Sequence, residues 1–559
     1  MSTNSIINEK TSAILIHDHS DKKLPIILEP NEYFGIVSIQ LNETEVIKTK
    51  KLAVLFTIDC SVSMSDKCEN NQTKLDQAKY TLQKILVEFM KYIETTEVYV
   101  SVVTFDNEIH TIFEFIQLTI DNLEILIEKI QKIMTRNSTN IEIALIHASK
   151  IIETFLQSHP DTKMHHIQLT DGMITCGENN TDILLSHISE KYPNIFVGFG
   201  LHHDSLLLER LSSKKFGDYR FIDKIENSGF VYGEIIHNIL YCQLESSRLV
   251  IEDGLLYNWK KNTWETELEL QCLSSGVKKD FQIKTTQPFD VNITLYGVIS
   301  KNEKKNEKEE CIFTIDVFPD LIDRITNEKI INQSFDLTKY AYRQLTQEML
   351  YQLKNKKSEG VFDFSLVEMK NDTNDKNMNN TKELMNIIKE YIKENHLEND
   401  LFMKLLLDDL YVCYNNIGSE YENMCILGRQ RSQGNQEAYT PTYIPKNHNN
   451  TQQTPYFKKS PFLKKVKLQR NNSEFDTIHT IIKPFPCYPK NENKDNDNDS
   501  QENSIYQIQI PKDMNYIDNN MSLNTNTNIP EEEYTLNDYS ANPYVTPKIL
   551  KLMRNISST

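Results

Sequence analysis

The chain has 559 residues, with 61 Lys and Arg against 79 Asp and Glu for a formal net charge of −18 at pH 7. That length exceeds what one hydrophobic core organises, so the chain divides into domains. The acidic balance repels phosphate backbones and argues against general nucleic-acid binding.

In chain order, Met1 to Lys10 is polar and residues 1–24 are assigned to a flexible N-terminus, and Tyr33 to Leu41 begins a β-rich segment. From Leu52, LAVLFTID is a continuous apolar run ending in Asp59, as expected of a parallel strand buried on both faces. Leu75, Ala78, Leu82, Ile85, Leu86 and Phe89 recur at helical spacing, and Val98 to Phe105 makes a second strand. Helices are then predicted over Ile120 to Met134 and Asn140 to Leu156. A strand over His165 to Leu169, a helix over Thr181 to Lys191 and a strand over Ile195 to Phe199 follow. A helix over Asp204 to Lys214, a strand over Tyr219 to Ile222 and a helix over Val231 to Tyr241 close the unit near Cys242. Strand alternating with helix predicts an α/β, doubly wound and mainly parallel sheet over residues 51–242, with ligands placed beyond the strand C-terminal ends.

Arg248 to Phe318 carries short β-rich runs such as TELELQC and FDVNITLYGVI without intervening helices. Residues 25–50 and 243–320 are therefore assigned to one accessory β-sandwich, interrupted by the α/β unit. Residues 330–428 form a helical region: a helix over Leu337 to Lys354, a polar linker over Asn371 to Asn380, and two helices within Lys382 to Cys413. Residues 429–559 are rich in Asn, Gln, Pro and charge and read as a disordered tail, unable to bury enough apolar area to offset ordering entropy.

The first strand runs directly into Asp59-Cys60-Ser61-Val62-Ser63. In an extended turn alternate side chains share a side, so Asp59, Ser61 and Ser63 converge as one carboxylate and two hydroxyls. These are hard oxygen donors of the kind Mg²⁺ prefers. This DxSxS after an apolar strand resembles the first loop of the metal-ion-dependent adhesion site of the von Willebrand factor type A family. Asn137-Ser138-Thr139-Asn140-Ile141-Glu142 followed by IALIHA resembles the family's second loop, and Leu169-Thr170-Asp171-Gly172 the third. The resemblance covers Leu52 to about Cys242 and implies metal ligation by Asp59, Ser61, Ser63, Thr139 and Asp171. It implies Mg²⁺, with Mn²⁺ or Ca²⁺ as alternatives, and a protein partner that completes the coordination shell with an Asp or Glu. Val62 and Ser138 stand where the family usually has glycine, so the loop is bulkier than usual.

Other features carry less. Cys60 reads as a small, partly buried side chain. His165-His166 and His202-His203 lack partner motifs and read as core or surface histidines, and Asp106 to Glu108 reads as a solvated acidic loop. The basic and apolar segment from Phe457 to Lys467 reads as a solvated charge run. Met1 to Lys10 lacks the apolar core of a secretory signal, and no apolar run approaches the roughly 20 residues of a membrane helix. Nine cysteines without a CxxC pair point to reduced thiols. An intracellular protein is expected, in the cytoplasm more readily than the nucleus. The resemblance implies a non-catalytic protein-interaction module, and the chain shows no GxxxxGK[ST] loop, RING-type Cys/His array or GxSxG elbow of its own. The alternative is an accessory or substrate-recruiting subunit of an enzyme assembly such as a ubiquitin ligase or ATPase complex.

Overall fold

Two strands, β1 (Ala13–Ile16) and β2 (Tyr33–Gln40), precede an α/β unit. The unit runs β3 (Lys51–Asp59), α1 (Lys74–Met90), β4 (Glu97–Phe105), β5 (Ile109–Gln117), α2 (Ile120–Gln131), α3 (Ile141–Ser158), β6 (Lys163–Thr170), α4 (Thr181–Ser186), β7 (Asn194–Phe199), α5 (Ser205–Leu211), β8 (Gly217–Ile222) and α6 (Ser228–Tyr241). This is a computed structural model, and it describes residues 6–7, 12–17, 24–44, 49–67, 72–171, 173–200, 203–222, 228–288, 291–302, 307–315, 336–355, 373–419, 421–437 and 545–557.

The unit's six-stranded sheet has the order β5-β4-β3-β6-β7-β8. Every pairing is parallel except β4 with β5. β3 shows why its text is apolar without alternation. Val54, Phe56 and Ile58 pack with α1, α2 and α6, whereas Ala53 and Leu55 pack with Ala148, Ile151, Ile152 and Phe155 of α3 on the other face. The fold is thus the von Willebrand A-like, doubly wound arrangement, with helices on both faces.

Antiparallel β5 went unread in the sequence because it is bulged. Its register against β4 shifts twice and Phe115 has a φ of 37°, so its apolar residues lose the two-residue period. α4 and α5 are also shorter than the helices expected over Thr181 to Lys191 and Asp204 to Lys214.

After α6 come β9 (Cys242–Leu244), β10 (Ser247–Glu252), β11 (Gly254–Asn258), β12 (Thr263–Glu265), β13 (Glu267–Leu270), β14 (Leu273–Ser274), β15 (Lys278–Thr285), β16 (Asn292–Asn302) and β17 (Glu307–Ile315). Two antiparallel sheets, β1-β2-β15-β11-β12 and β13-β10-β16-β17, share a core of Ile14, Val37, Ile39, Leu249, Ile251, Leu256, Ile283, Ile293 and Leu295. β2 pairs with β15 along its whole length, from Tyr33 opposite Thr285 to Gln40 opposite Lys278. Chain on either side of the α/β unit therefore closes a single sandwich. The N-terminal segment expected to be flexible contributes β1, because Ile14 and Leu15 find buried places beside β2.

The helices α7 (Thr338–Lys354), α8 (Thr373–Glu394), α9 (Leu401–Asn416) and α10 (Glu422–Asn435) form a bundle around Leu345, Met349, Leu350, Leu384, Ile388, Met403, Leu406 and Leu410. α7 also covers the outer face of the first sandwich sheet through Leu337, Tyr340 and Ala341 against Leu15, Phe34 and Ile36. Three expectations need correction. The polar stretch expected as a linker over Asn371 to Asn380 is helical from Thr373 as part of α8. The helical region runs past residue 428 through α10, whose polar side chains are buried by pairing: Arg431 donates to Asp218 at 2.9 Å and Arg429 to Asp409 at 2.6 Å. The expected tail contains α11 (Pro547–Ser557), an amphipathic helix that buries Ile549, Leu552, Met553 and Ile556 against α6 and α1. Gly233 of α6 lets this helix approach closely, since a Cβ there would lie 2.6 Å from the Met553 Cα. The rest of the tail, including Phe457 to Lys467, lies outside the described residues.

Candidate functional site

Loops at the C-terminal ends of β3, β4 and β6 meet above the centre of the six-stranded sheet, where strand order places ligands in such folds. Asp59 ends β3 and is fully buried. One of its oxygens, Oδ1, accepts the Ser61 backbone N–H at 2.8 Å and the other, Oδ2, accepts the Thr170 hydroxyl at 2.6 Å. The Ser63 hydroxyl donates to Asp171 Oδ1 at 2.7 Å, which leaves Ser61 as donor in the 3.0 Å Ser61 to Ser63 contact. A single helical turn over Val62–Ser65 presents both serines, and Val62 points its bulk outward at 60% exposure. Valine in place of the usual glycine thus does not crowd the loop.

The second loop is pinned to the first by backbone bonds from Arg136 to Cys60 at 2.7 Å and from Val62 to Asn137 at 2.9 Å. Thr139 is buried, and its carbonyl accepts from the Thr175 and Cys176 amides at 3.0 and 3.2 Å. It joins the group through its loop, whereas Asp59, Ser61, Ser63 and Asp171 are connected by direct or single-residue hydrogen-bond steps. Ser138 contacts the Cys176 thiol at 3.1 Å and so ties the second loop to the third.

Asp106 corrects the expectation of a solvated acidic loop. It is only 1% exposed, because its carboxylate accepts from Arg136 Nε at 3.2 Å and from the Asn137 amide at 3.3 Å. Its carbonyl takes the Asn140 amide at 3.0 Å. The residue thereby holds the second loop in place.

Lys74, the first residue of α1, lies in the site. Its Nζ donates to Asp171 Oδ2 at 2.7 Å and to Asp66 Oδ2 at 3.0 Å. The Thr73–Asp76 capping box sets the helix start that positions it. Periodicity starts that helix at Leu75, so the sequence held only the Thr73…Asp76 spacing as a signal for Lys74. Burial opposes its charge, but Asp171 and Asp66 outweigh this and hold its pKa above the ordinary lysine value. For Asp59, burial pushes the carboxyl up to about 6; the Thr170 hydrogen bond opposes this and the Asp171 charge adds to it. Burial likewise pushes the fully buried Cys60 thiol up to about 12, so it stays protonated and offers no nucleophile.

Of the two histidine pairs, His165, His166 and His203 are buried core groups, and His202 lies outside the described residues. His166 bonds Thr57 and Asn194 at 2.9 and 3.0 Å, and His203 bonds the Gly200 carbonyl and the Tyr219 hydroxyl, both at 2.6 Å. Among the described residues no three His, Cys, Asp or Glu side chains gather as a metal cluster. The candidate donors are instead two carboxylates and three hydroxyls, a hard set that suits a hard divalent cation.

Residues 53–231 match the family model of the von Willebrand factor type A domain. The chain carries a von Willebrand factor A domain. A comparison with curated proteins gives no match. Among solved structures, it is similar to a von Willebrand factor type A protein from Catenulispora acidiphila, at 12% identity over 73% of this chain and 91% of that one, with a TM-score of 0.44. It is also similar to the ArnB paralog VWA2 from Sulfolobus acidocaldarius, at 15% identity over 77% of this chain and 100% of that one, with a TM-score of 0.41. Proximal thread matrix protein 1 from the mussel byssus, with a zinc-occupied MIDAS motif, matches at 19% identity over 37% of this chain and 50% of that one, with a TM-score of 0.29. No helix among the described residues is long and apolar enough to cross a membrane.

Proposed function

We propose that the von Willebrand factor A domain of this chain is a non-catalytic interaction module that takes up a partner's Asp or Glu carboxylate through a divalent cation. The observation that carries this reading is the hydrogen-bonded group Asp59, Thr170, Asp171, Ser63 and Ser61, which draws the DxSxS and LTDG loops together at the strand ends. Asp59, Ser61, Ser63, Thr139 and Asp171 would hold the cation, Mg²⁺ in first place and Mn²⁺ or Ca²⁺ as alternatives. Bound there among neutral hydroxyls, it would supply a strong electrophile for a carboxylate. The protein's own residues contribute position. Thr170 and the Ser61 amide orient the Asp59 carboxylate, and Asp106 with Arg136 fixes the loop that carries Thr139. Cys60, the thiol within the first loop, is held protonated and offers no nucleophile, in keeping with a binding role.

Calorimetric titration of Mg²⁺ and Mn²⁺ into the full chain tests this, comparing wild type with Asp59→Asn and Asp59→Ala. Saturable binding lost in both folded variants is expected, together with cation-dependent capture of Glu-bearing peptides. Capture that persists unchanged in excess chelator would sink the reading.

A further inference from the structure

The Lys74 ammonium reaches Asp171 with its side chain 14% exposed and that of Asp171 at 0%. Two buried carboxylates, Asp59 and Asp171, thus share one site whose nearest cation belongs to the protein itself. We infer that Lys74 is a tethered counter-cation of the adhesion site, which a divalent ion must displace from Asp171. This deepens the reading above and rests on it.

Three features make Lys74 suited to two positions. Its backbone is fixed, since its amide donates to the Asp66 carbonyl at 3.0 Å and the Thr73 capping box sets the helix start, so only the four-carbon stem has to move. Gly200, at a φ of +72°, flanks the stem without wedging it, since even a Cβ there would meet Lys74 Cε only at an ordinary contact of 3.8 Å. The second partner, Asp66, lies outward with its side chain 62% exposed. When Lys74 leaves Asp171, Asp66 retains the ammonium, and release costs one ion pair instead of two.

The competition is direct. An ammonium and a divalent ion repel at these separations and draw on the same carboxylate, whose other oxygen is already bonded to Ser63. By linkage, the factor by which Lys74 weakens cation binding equals the factor by which the cation weakens the Lys74–Asp171 pair. Lys74 thereby sets the cation concentration at which the site becomes competent. Without a cation it neutralises the buried acid, so that the apo domain stays folded.

The test compares the full-length wild type, Lys74→Met and Asp59→Asn by Mn²⁺ titration, and follows the rate at which an amine-acylating reagent modifies Lys74 in the wild type with and without Mn²⁺. Lys74→Met is expected to bind Mn²⁺ on the order of tenfold more tightly than wild type. In chelator it should also melt at lower temperature than wild type and recover with Mn²⁺. Lys74 acylation in the wild type should quicken as Mn²⁺ saturates. Equal Mn²⁺ affinities for wild type and Lys74→Met would overturn this inference and leave the metal-site reading standing. Absence of Mn²⁺ binding by both would overturn the two together. Should Lys74→Met not fold, Asp66→Ala and the acylation assay decide: an acylation rate that ignores saturating Mn²⁺ refutes displacement.

Discussion

Leu552→Ala tests whether α11 is an integral part of the von Willebrand factor A domain core. Leu552 is 3% exposed and shares a cluster with Leu82, Ile85, Phe89, Ile235, Ile236 and Ile239. α11 lies against α6 at Gly233 with backbone almost touching backbone, so the helices cannot slide together to fill the space left by a truncated side chain. A leucine-to-alanine cavity of this kind costs about 3 kcal/mol. That is roughly a hundredfold in the equilibrium between docked and released α11. Undocking also exposes Ile549, Met553 and Ile556, so the effect should spread beyond the mutated residue. Native-state hydrogen exchange read over residues 228–241 and 547–557 is the assay, with urea unfolding alongside. Amides of α11 are expected to lose protection by about two orders of magnitude, and those of α6 to follow in part. Unchanged protection in both helices, with a stability loss under about 0.5 kcal/mol, would refute the packing argument.

Asp106→Ala removes the carboxylate that holds Arg136 and the Asn137 amide, and is expected to cost about 2 kcal/mol and to weaken Mn²⁺ binding although Asp106 is not itself a candidate ligand. Calorimetry on the folded variant checks it, and unaltered affinity would show that the second loop holds its place without this anchor. Stability should also fall on acidification. His166, His203 and His237 are buried, and burial depresses each to about 4. Unfolded, they titrate near 6.5, so the unfolded chain binds more protons below that pH, and each histidine costs about 2 kcal/mol at pH 5. Asp59 and Asp409, raised by burial to about 6, work in the opposite direction by about 1.3 kcal/mol each. From these groups a net loss of about 3 kcal/mol between pH 7 and pH 5 is expected, and a flat urea midpoint over that range would contradict the assignment.

The strand and helix order of the α/β unit was legible because its signals are local. LAVLFTID has no polar residue before Thr57, and the spacing from Leu75 to Phe89 describes a helix face without reference to anything distant. The DxSxS segment was legible at the end of its apolar strand, and Thr139 and LTDG through their resemblance to the family's second and third loops. β5 was not, because a bulge destroys its alternation, and α11 was not, because eleven amphipathic residues within a polar tail bury their face only when α6 and α1 supply the groove.

By itself, then, the sequence determined the repeating α/β pattern, the β-rich flanks and which oxygen-bearing residues sit where strands end, since those depend on neighbours a few positions apart. Only the tertiary structure decided the register in which β2 meets β15, with Gln40 opposite Lys278 and 238 positions from it along the chain, that Asp106 is an internal anchor, and that Lys74 stands on Asp171. Such pairings join residues whose separation along the chain leaves no periodic trace, and the free energy that selects them comes from burying apolar surface, with buried charges tolerated where they are paired.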